Sequence, residues 1–390
     1  MMLLNVERRG DGLFLIFHVG MLVICMAAFI LKDLPTAASP IFDVYILCLV
    51  IFSLFKSSAF IGRKALVWIM ILLVYFGGYV TAYYSFNEYG YVSNYEMFRS
   101  IRFVYYLLAF ILVSELALSN GEKVRCISSE SYSTFFFYLV VVMTLVYLVK
   151  IILLGSSRPT LYSENNYEIP SILIAYSIFQ TLNKKDTSFR GKVTTYLSYF
   201  LAILSLSKSA VIEAVFVYLK IKMNRPTATN ILILLFSVPL GLLLIYAVFS
   251  LRSTEGVVDR LQFLVVFLDL VQDFSFQETM LGKGLANELP FSSCMQLKFW
   301  ASRMFSDYSY CNSTAFFSFQ LKVFYDFGLI GLLLCLGTWC YFLVRYYGVG
   351  LGTTIFLIMF LCSLSVSGFN NSIIIWTIFL GLLVRRSTTS

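Results

Sequence analysis

Apolar runs close to the length of a membrane-crossing helix recur along this chain from Leu13 to Val384, with one long water-compatible interruption from Leu251 to about Lys322. A crossing helix needs about 20 mostly apolar residues, because the hydrocarbon core is roughly 30 Å thick and each helical residue rises about 1.5 Å. The runs are Leu13 to Leu31, Ile41 to Phe55, Ala65 to Tyr84, Arg99 to Leu118, Thr134 to Leu154, Ile169 to Leu182, Thr194 to Leu206, Ala210 to Leu219, Asn230 to Ser250, Phe324 to Val344, Leu351 to Val366 and Ser372 to Val384. With 59% hydrophobic residues, 13% charged residues and a mean hydropathy of +0.83, the chain cannot close as a soluble globule. The expectation is an all-α, polytopic integral membrane protein of about 12 transmembrane helices, with one large extracytoplasmic loop carrying an amphipathic helix. Its parts are then a bundle of about nine helices over 1–250, the loop over 251–322 and about three helices over 323–390, serving one functional domain. The first run lacks a small-residue cleavage site and reads as a retained helix. The short seventh and eighth runs fit either a re-entrant pair or two tilted helices.

Basic residues orient the set, since Lys and Arg accumulate in short cytoplasmic loops. An inside N-terminus places Arg8, Arg9, Lys56, Arg63, Lys64, Lys123, Arg125, Lys184, Lys185, Arg190, Lys192, Lys220, Lys222, Arg225, Arg345, Arg385 and Arg386 on the inner side. The short outer loops hold few, such as Lys32 and Arg158. Both termini then face the cytoplasm and the long loop faces out, because long loops translocate largely regardless of charge. The net charge of +8 is an orientation signal and does not argue for nucleic acid. Cys25, Cys48, Cys335, Cys340 and Cys362 fall in apolar runs and Cys126 in an inner loop, so they read as reduced packing residues. Cys294 and Cys311 share the outer loop, where an oxidising exterior permits a disulfide around Trp300 and Arg303 without requiring one. No Cys and His set has metal-ligand spacing, and the single histidine, His18, reads as a packing residue. Neither a metal nor another cofactor is expected.

Ionisable groups near membrane depth are costly and mark functional candidates. Three groups stand at the outer ends of helices. In Ser156 to Glu168, Pro159 keeps Arg158 out of helical geometry, and Glu164 and Glu168 share a face if the sixth helix starts early. This reads either as an anion-binding Arg beside a proton-accepting carboxylate or as a solvated loop with an exposed ion pair. In Leu204 to Ala210, Ser205, Ser207, Ser209 and Lys208 make a turn that suits a phosphate, or simply a snorkelling lysine. Arg252 to Arg260 opens the long loop, and Asp259, Gln262, Asp269 and Asp273 then line one face of an amphipathic helix suited to the membrane surface. Gly282-Lys283-Gly284 reads as the turn that ends it, and only very weakly as a phosphate loop.

The succession R-P-T-L-Y-S-E, L-S-L-S-K-S-A, R-S-T-E-G-V-V-D-R, L-G-K-G-L and C-N-S-T-A-F-F-S-F-Q-L-K-V-F-Y-D-F-G-L-I-G-L-L-L resembles the Wzy-type O-antigen and exopolysaccharide polymerases, whose superfamily includes the O-antigen ligases. The resemblance spans roughly Arg158 to Leu334, and the joint order of the motifs is its specific part. Many relatives, notably ligases, carry a His where this chain reads Tyr310 to Thr314, so a mechanism using that His cannot operate here.

The resemblance implies a GT-C-like fold and a metal-independent glycosyltransferase at the periplasmic face of a bacterial inner membrane. The donor would be a growing glycan on undecaprenyl pyrophosphate and the acceptor a lipid-linked repeat unit, with chain length open to control by a separate regulator. Arg158 with Glu164, or Glu168 in reserve, would be catalytic, and Lys208, Arg252, Arg260 and Arg303 would bind the pyrophosphate. A ligase to the lipid A core differs only in its acceptor, and the missing His argues against it. A repeat-unit flippase should show two similar halves and no dominant loop, and no such repeat is present.

Overall fold

The computed structural model describes residues 35–56, 61–86, 94–119, 125, 127–153, 155, 168–182, 188–205, 207–223, 256–297, 311–316, 318–365 and 368–384. The apolar runs Leu13 to Leu31 and Asn230 to Ser250 lie outside these residues. Among them all regular structure is helical, apart from two isolated bridges, Ile127 with Val384 and Glu288 with Asn312. The helices are α1 Pro35–Lys56, α2 Arg63–Phe86, α3 Asn94–Ser119, α4 Ser129–Ile152, α5 Glu168–Leu182, α6 Phe189–Leu204 and α7 Lys208–Met223. The loop carries α8 Gly256–Gln272, α9 Phe276–Leu281 and α10 Phe291–Gln296, and α11 Phe319–Tyr347, α12 Val349–Ser365 and α13 Ser372–Leu382 follow.

This is a membrane-embedded helical protein. Among the described residues four helices are long and apolar enough to cross a bilayer, Arg63–Ser85, Met97–Ser119, Ser129–Ile152 and Phe319–Tyr347, and shorter apolar helices accompany them. Side-chain caps begin several: Ser128 accepts the Ser131 amide, Ser188 that of Gly191, and Asn371 those of Ile373 and Ile374. The sixth run begins at Glu168, and the seventh and eighth are separate helices joined at Ser205 to Ser207. Along α2, Leu66, Val67, Met70, Ile71, Leu73 and Val74 are exposed, as befits a surface whose solvent is lipid. By contrast α13 is buried along its whole length against α1, α3 and α5. The central aromatic packing includes Trp339 stacked on Phe110, with ring centroids 5.1 Å apart.

Helix ends sort into two groups. At one end Arg345 pairs with Glu115 at 2.9 Å, the Ile127 amide donates to the Leu383 carbonyl at 3.1 Å, and Arg125 lies over the Tyr346 ring. At the other, Arg102 pairs with Asp43, Asn370 bonds the Arg99 backbone, and Lys322 bonds Ser100. The first group holds the ends that the basic residues assign to the inside.

α11 starts at Phe319, five residues before the apolar run, because Gln320, Lys322 and Asp326 dilute the hydropathy of its first two turns. Lys322 is therefore part of a helix and not of the loop. The loop has its own small core, in which Phe263, Val266 and Phe267 of α8 meet Leu289, Phe316 and Tyr325. The amphipathic helix thus spends one apolar face on the loop itself, and a second set, Leu264, Val265 and Leu268, stays exposed.

Candidate functional site

The site is organised by a break in α11. Gly328 has φ 67° and ψ −171°, which interrupts the helical hydrogen-bond ladder and frees carbonyls in the preceding turn. Within a membrane protein such groups need partners. The Tyr325 carbonyl accepts the Lys283 amide at 2.8 Å, that of Asp326 accepts the Gly284 amide at 3.0 Å, and that of Phe327 accepts the Tyr75 hydroxyl at 2.7 Å. Tyr79 donates to the Leu281 carbonyl beside them. The segment after α9 approaches so closely that a Cβ on Gly282 would lie 2.5 Å from the Asp326 carbonyl carbon, and one on Gly328 would lie 2.3 Å from the Met280 oxygen. Gly282-Lys283-Gly284 is therefore a clamp on the broken helix. The Lys283 and Gly284 amides are spent there, which removes the phosphate-loop reading.

Inside the clamp stands Asp326, fully buried, with neither carboxylate oxygen in close hydrogen-bond geometry with a donor among the described residues. The Ser313 hydroxyl and the Ala286 backbone face it, and Lys322, one turn earlier, is its electrostatic partner. Lys322 Nζ donates to Ser100 Oγ at 3.0 Å, tying α11 to α3. Three residues along α3 from Arg99, Arg102 pairs with Asp43 at 3.3 Å, donates to the Asn370 carbonyl at 2.8 Å and lies over the Tyr106 ring. Tyr106 in turn donates to Asp43. The Asn370 amide nitrogen donates to the Arg99 carbonyl at 3.0 Å, while its Oδ1 is buried with no donor among the described residues.

The loop lies against this cluster. Cys294 and Cys311 are disulfide-bonded with Cα atoms 5.7 Å apart. Reciprocal backbone bonds, Leu289 N–H to Cys311 O at 2.9 Å and Ser313 N–H to Asn287 O at 3.1 Å, then fix Asn312 and Ser313. Asn312, in the stretch where the resemblance puts a histidine, is fully buried and accepts the Thr314 amide at 2.9 Å. Its amide nitrogen has no partner among the described residues. Outside Asn312 and Ser313 is an open groove of about 510 Å³, lined by residues including Glu278, Lys283, Asn287 and Glu288. There the Ser275 amide, donating at 2.8 Å, holds the Glu278 carboxyl below the usual carboxylate range.

The residues expected from sequence fall elsewhere. Arg158, Glu164, Arg252 and Arg303 lie outside the described residues. Lys208 opens α7 and Arg260 lies in the first turns of α8, and their side chains are outside the described set. Glu168 is 1% exposed, accepts the Tyr147 hydroxyl at 2.7 Å and feels the charge of Lys150. It lines an apolar crevice of about 40 Å³ with Phe42, Phe136, Ser171 and Trp376. Sequence reasoning passed over Asp43, Asp326, Asn370 and Glu213, the last a fully buried carboxyl on α7 with neither oxygen hydrogen-bonded among the described residues. The available signal was the position of these groups in or beside apolar runs. In the sequence Arg99 opens the fourth apolar run with Arg102 one turn on, and Lys322 ends the water-compatible stretch, so none of them stands out as part of a site.

No family model, curated protein or solved structure matches the chain. Its functional reading rests on its own residues and on the order of its motifs.

Proposed function

We propose that the chain polymerises lipid-linked oligosaccharide repeat units, moving the growing glycan from undecaprenyl pyrophosphate to the non-reducing end of another lipid-linked unit on the periplasmic face of a bacterial inner membrane. The observation that carries this reading is the charged cluster of Asp43, Arg99, Arg102, Lys322 and Asp326, built from helix ends of an apolar bundle and overlain by a disulfide-closed loop. Such a place lets a polar headgroup and sugar meet protein charge while a polyprenyl tail stays against lipid-facing helices.

In the reaction the acceptor sugar hydroxyl attacks the anomeric carbon of the donor, the bond from that carbon to the pyrophosphate oxygen breaks, and the hydroxyl proton passes to a carboxylate. Glu164 is assigned as that base, with Glu168 in reserve, in keeping with the motif order. Arg158, Lys208, Arg252, Arg260 and Arg303 are assigned to the negative charge that grows on the leaving pyrophosphate. The hydroxyl transfer is a general-base step, and the cations supply electrostatic stabilisation.

The test is a deletion strain complemented with variants. Deletion should reduce surface glycan to single repeat units, and complementation should restore the ladder. Arg158→Ala, Arg260→Ala and Glu164→Ala should insert normally and shorten it. Loss of all surface repeats on deletion, or no change, rejects the polymerase reading. Unaltered ladders in all three variants reject the site assignment.

A further inference from the structure

Among the described residues, cations outnumber carboxylates at the outer end of α3 and α11. Arg99 and Arg102 are three residues apart and so share a face of α3, and between them Ser100 receives the Lys322 ammonium at 3.0 Å. Both guanidinium groups act electrostatically on Lys322. Among the described residues three cations face two carboxylates, and each of those carboxylates already has a cationic partner: Asp43 with Arg102, Asp326 with Lys322. Gathering like charge beside apolar helices is costly unless an anion joins it. Arg99 remains exposed, so the cluster is open on one side.

A second observation narrows the anion. Asn370 is 8% exposed and its nitrogen is committed to the Arg99 carbonyl, which leaves Oδ1 as a buried acceptor with no donor among the described residues. A bare phosphate at neutral pH has mainly acceptors to offer. A phosphate ester that also carries hydroxyl groups satisfies both halves of the cluster, its oxygens meeting Arg99, Arg102 and Lys322 and a hydroxyl meeting Asn370.

We propose that Arg99, Arg102, Lys322 and Asn370 form a binding subsite for a hydroxyl-bearing phosphate ester at the outer membrane boundary. The subsite rests on the polymerase reading only in taking that ester to be the sugar-phosphate head of a polyprenyl-linked glycan. Phosphatidylglycerol offers the same chemistry from the bulk bilayer, so the test separates the two.

Full-length protein in phosphatidylcholine nanodiscs is titrated with inorganic pyrophosphate and with glucose 1-phosphate. Wild type should bind both. Arg99→Gln and Lys322→Gln should each weaken pyrophosphate by about 10-fold or more, as loss of one charged hydrogen bond implies, and Lys64→Gln, at the opposite end, should not. Asn370→Ala should reduce the preference for the sugar ester. Arg99 is exposed, so its variant keeps the test valid if Lys322→Gln fails to fold. Wild-type affinity in both cation variants overturns the subsite. Displacement of the sugar ester by phosphatidylglycerol added to the discs overturns its assignment to the glycan donor. The same variants are scored for ladder length in cells: weakened binding with an intact ladder keeps the subsite and counts against the polymerase, whereas intact binding with a short ladder does the reverse.

Discussion

Two glycines and a tyrosine decide whether the broken helix can exist. Gly282 has φ 78°, a region costly for any side chain, and its hypothetical Cβ would lie 2.5 Å from the Asp326 backbone. Gly282→Ala therefore combines backbone strain with a clash against main chain that cannot rotate away. A loss of about 3 kcal/mol or more is expected, read as a lowered Tm in detergent. A Tm equal to that of wild type would mean that the clamp is not formed. Tyr75→Phe is a gentler probe of the same feature. It deletes the hydroxyl that donates to the Phe327 carbonyl at 2.7 Å and leaves a freed carbonyl unpaired, at a cost of about 1–3 kcal/mol. Tyr79→Phe in the same assay tests the neighbouring bond to Leu281, so the two results locate where the clamp bears.

At the level of elements, the loop is held by devices of different reach. The disulfide between Cys294 and Cys311 joins residues 17 apart, and such a closure is worth about 3 kcal/mol in the chain-entropy account. Reduction, or Cys294→Ser, should make 256–316 susceptible to limited proteolysis while the bundle stays intact, and equal cleavage with and without reductant would count against this. α9 is held locally by a capping box, Ser275 with Glu278. The Glu278 carboxyl is depressed below its ordinary value of 4.5, so its contribution is present above that value and is lost as pH falls through the folded one. The extra hydrogen-exchange protection of Thr279 and Gly282 over Glu278→Gln should therefore vanish in acid. A difference that persists unchanged there would reject the cap. These elements differ in how far the sequence exposed them. The apolar runs among the described residues and the cysteine pair are local patterns and were legible, whereas Gly282-Lys283-Gly284, expected to end the amphipathic helix, follows the separate short helix α9 instead. The start of α11 was read late because Gln320 and Lys322 look like loop residues. What holds Lys322 in the bundle is contact with Ser100, and that bond spans 222 residues. No window along the chain contains that bond. The break at Gly328 was hidden for the same reason, since nothing local tells a kinked glycine from one packed in a straight helix.

For the whole molecule the open quantity is orientation, and the pairing of helix ends makes it a single choice. Glu115–Arg345, Arg125–Tyr346 and the Ile127–Val384 bridge bind one end together, and Asp43–Arg102, Lys322–Ser100 and Asn370–Arg99 bind the other. Turning one of these helices over would break contacts at both ends, so the described bundle inserts one way or the reverse as a unit. The basic residues choose: Arg63, Lys64, Arg125, Arg190, Lys192 and Arg345 belong to the first end, and positive segments stay in the cytoplasm. The prediction is read by cysteine labelling in whole cells, with the free native cysteines replaced by serine and the disulfide kept. Phe276→Cys, on the exposed surface of the loop, should react with a membrane-impermeant maleimide without permeabilisation. Lys64→Cys, exposed at the start of α2, should react only after it. The opposite pattern would put the disulfide and the charged cluster in the cytoplasm, where thiols are kept reduced, and would remove the proposed periplasmic polymerase reading together with the orientation.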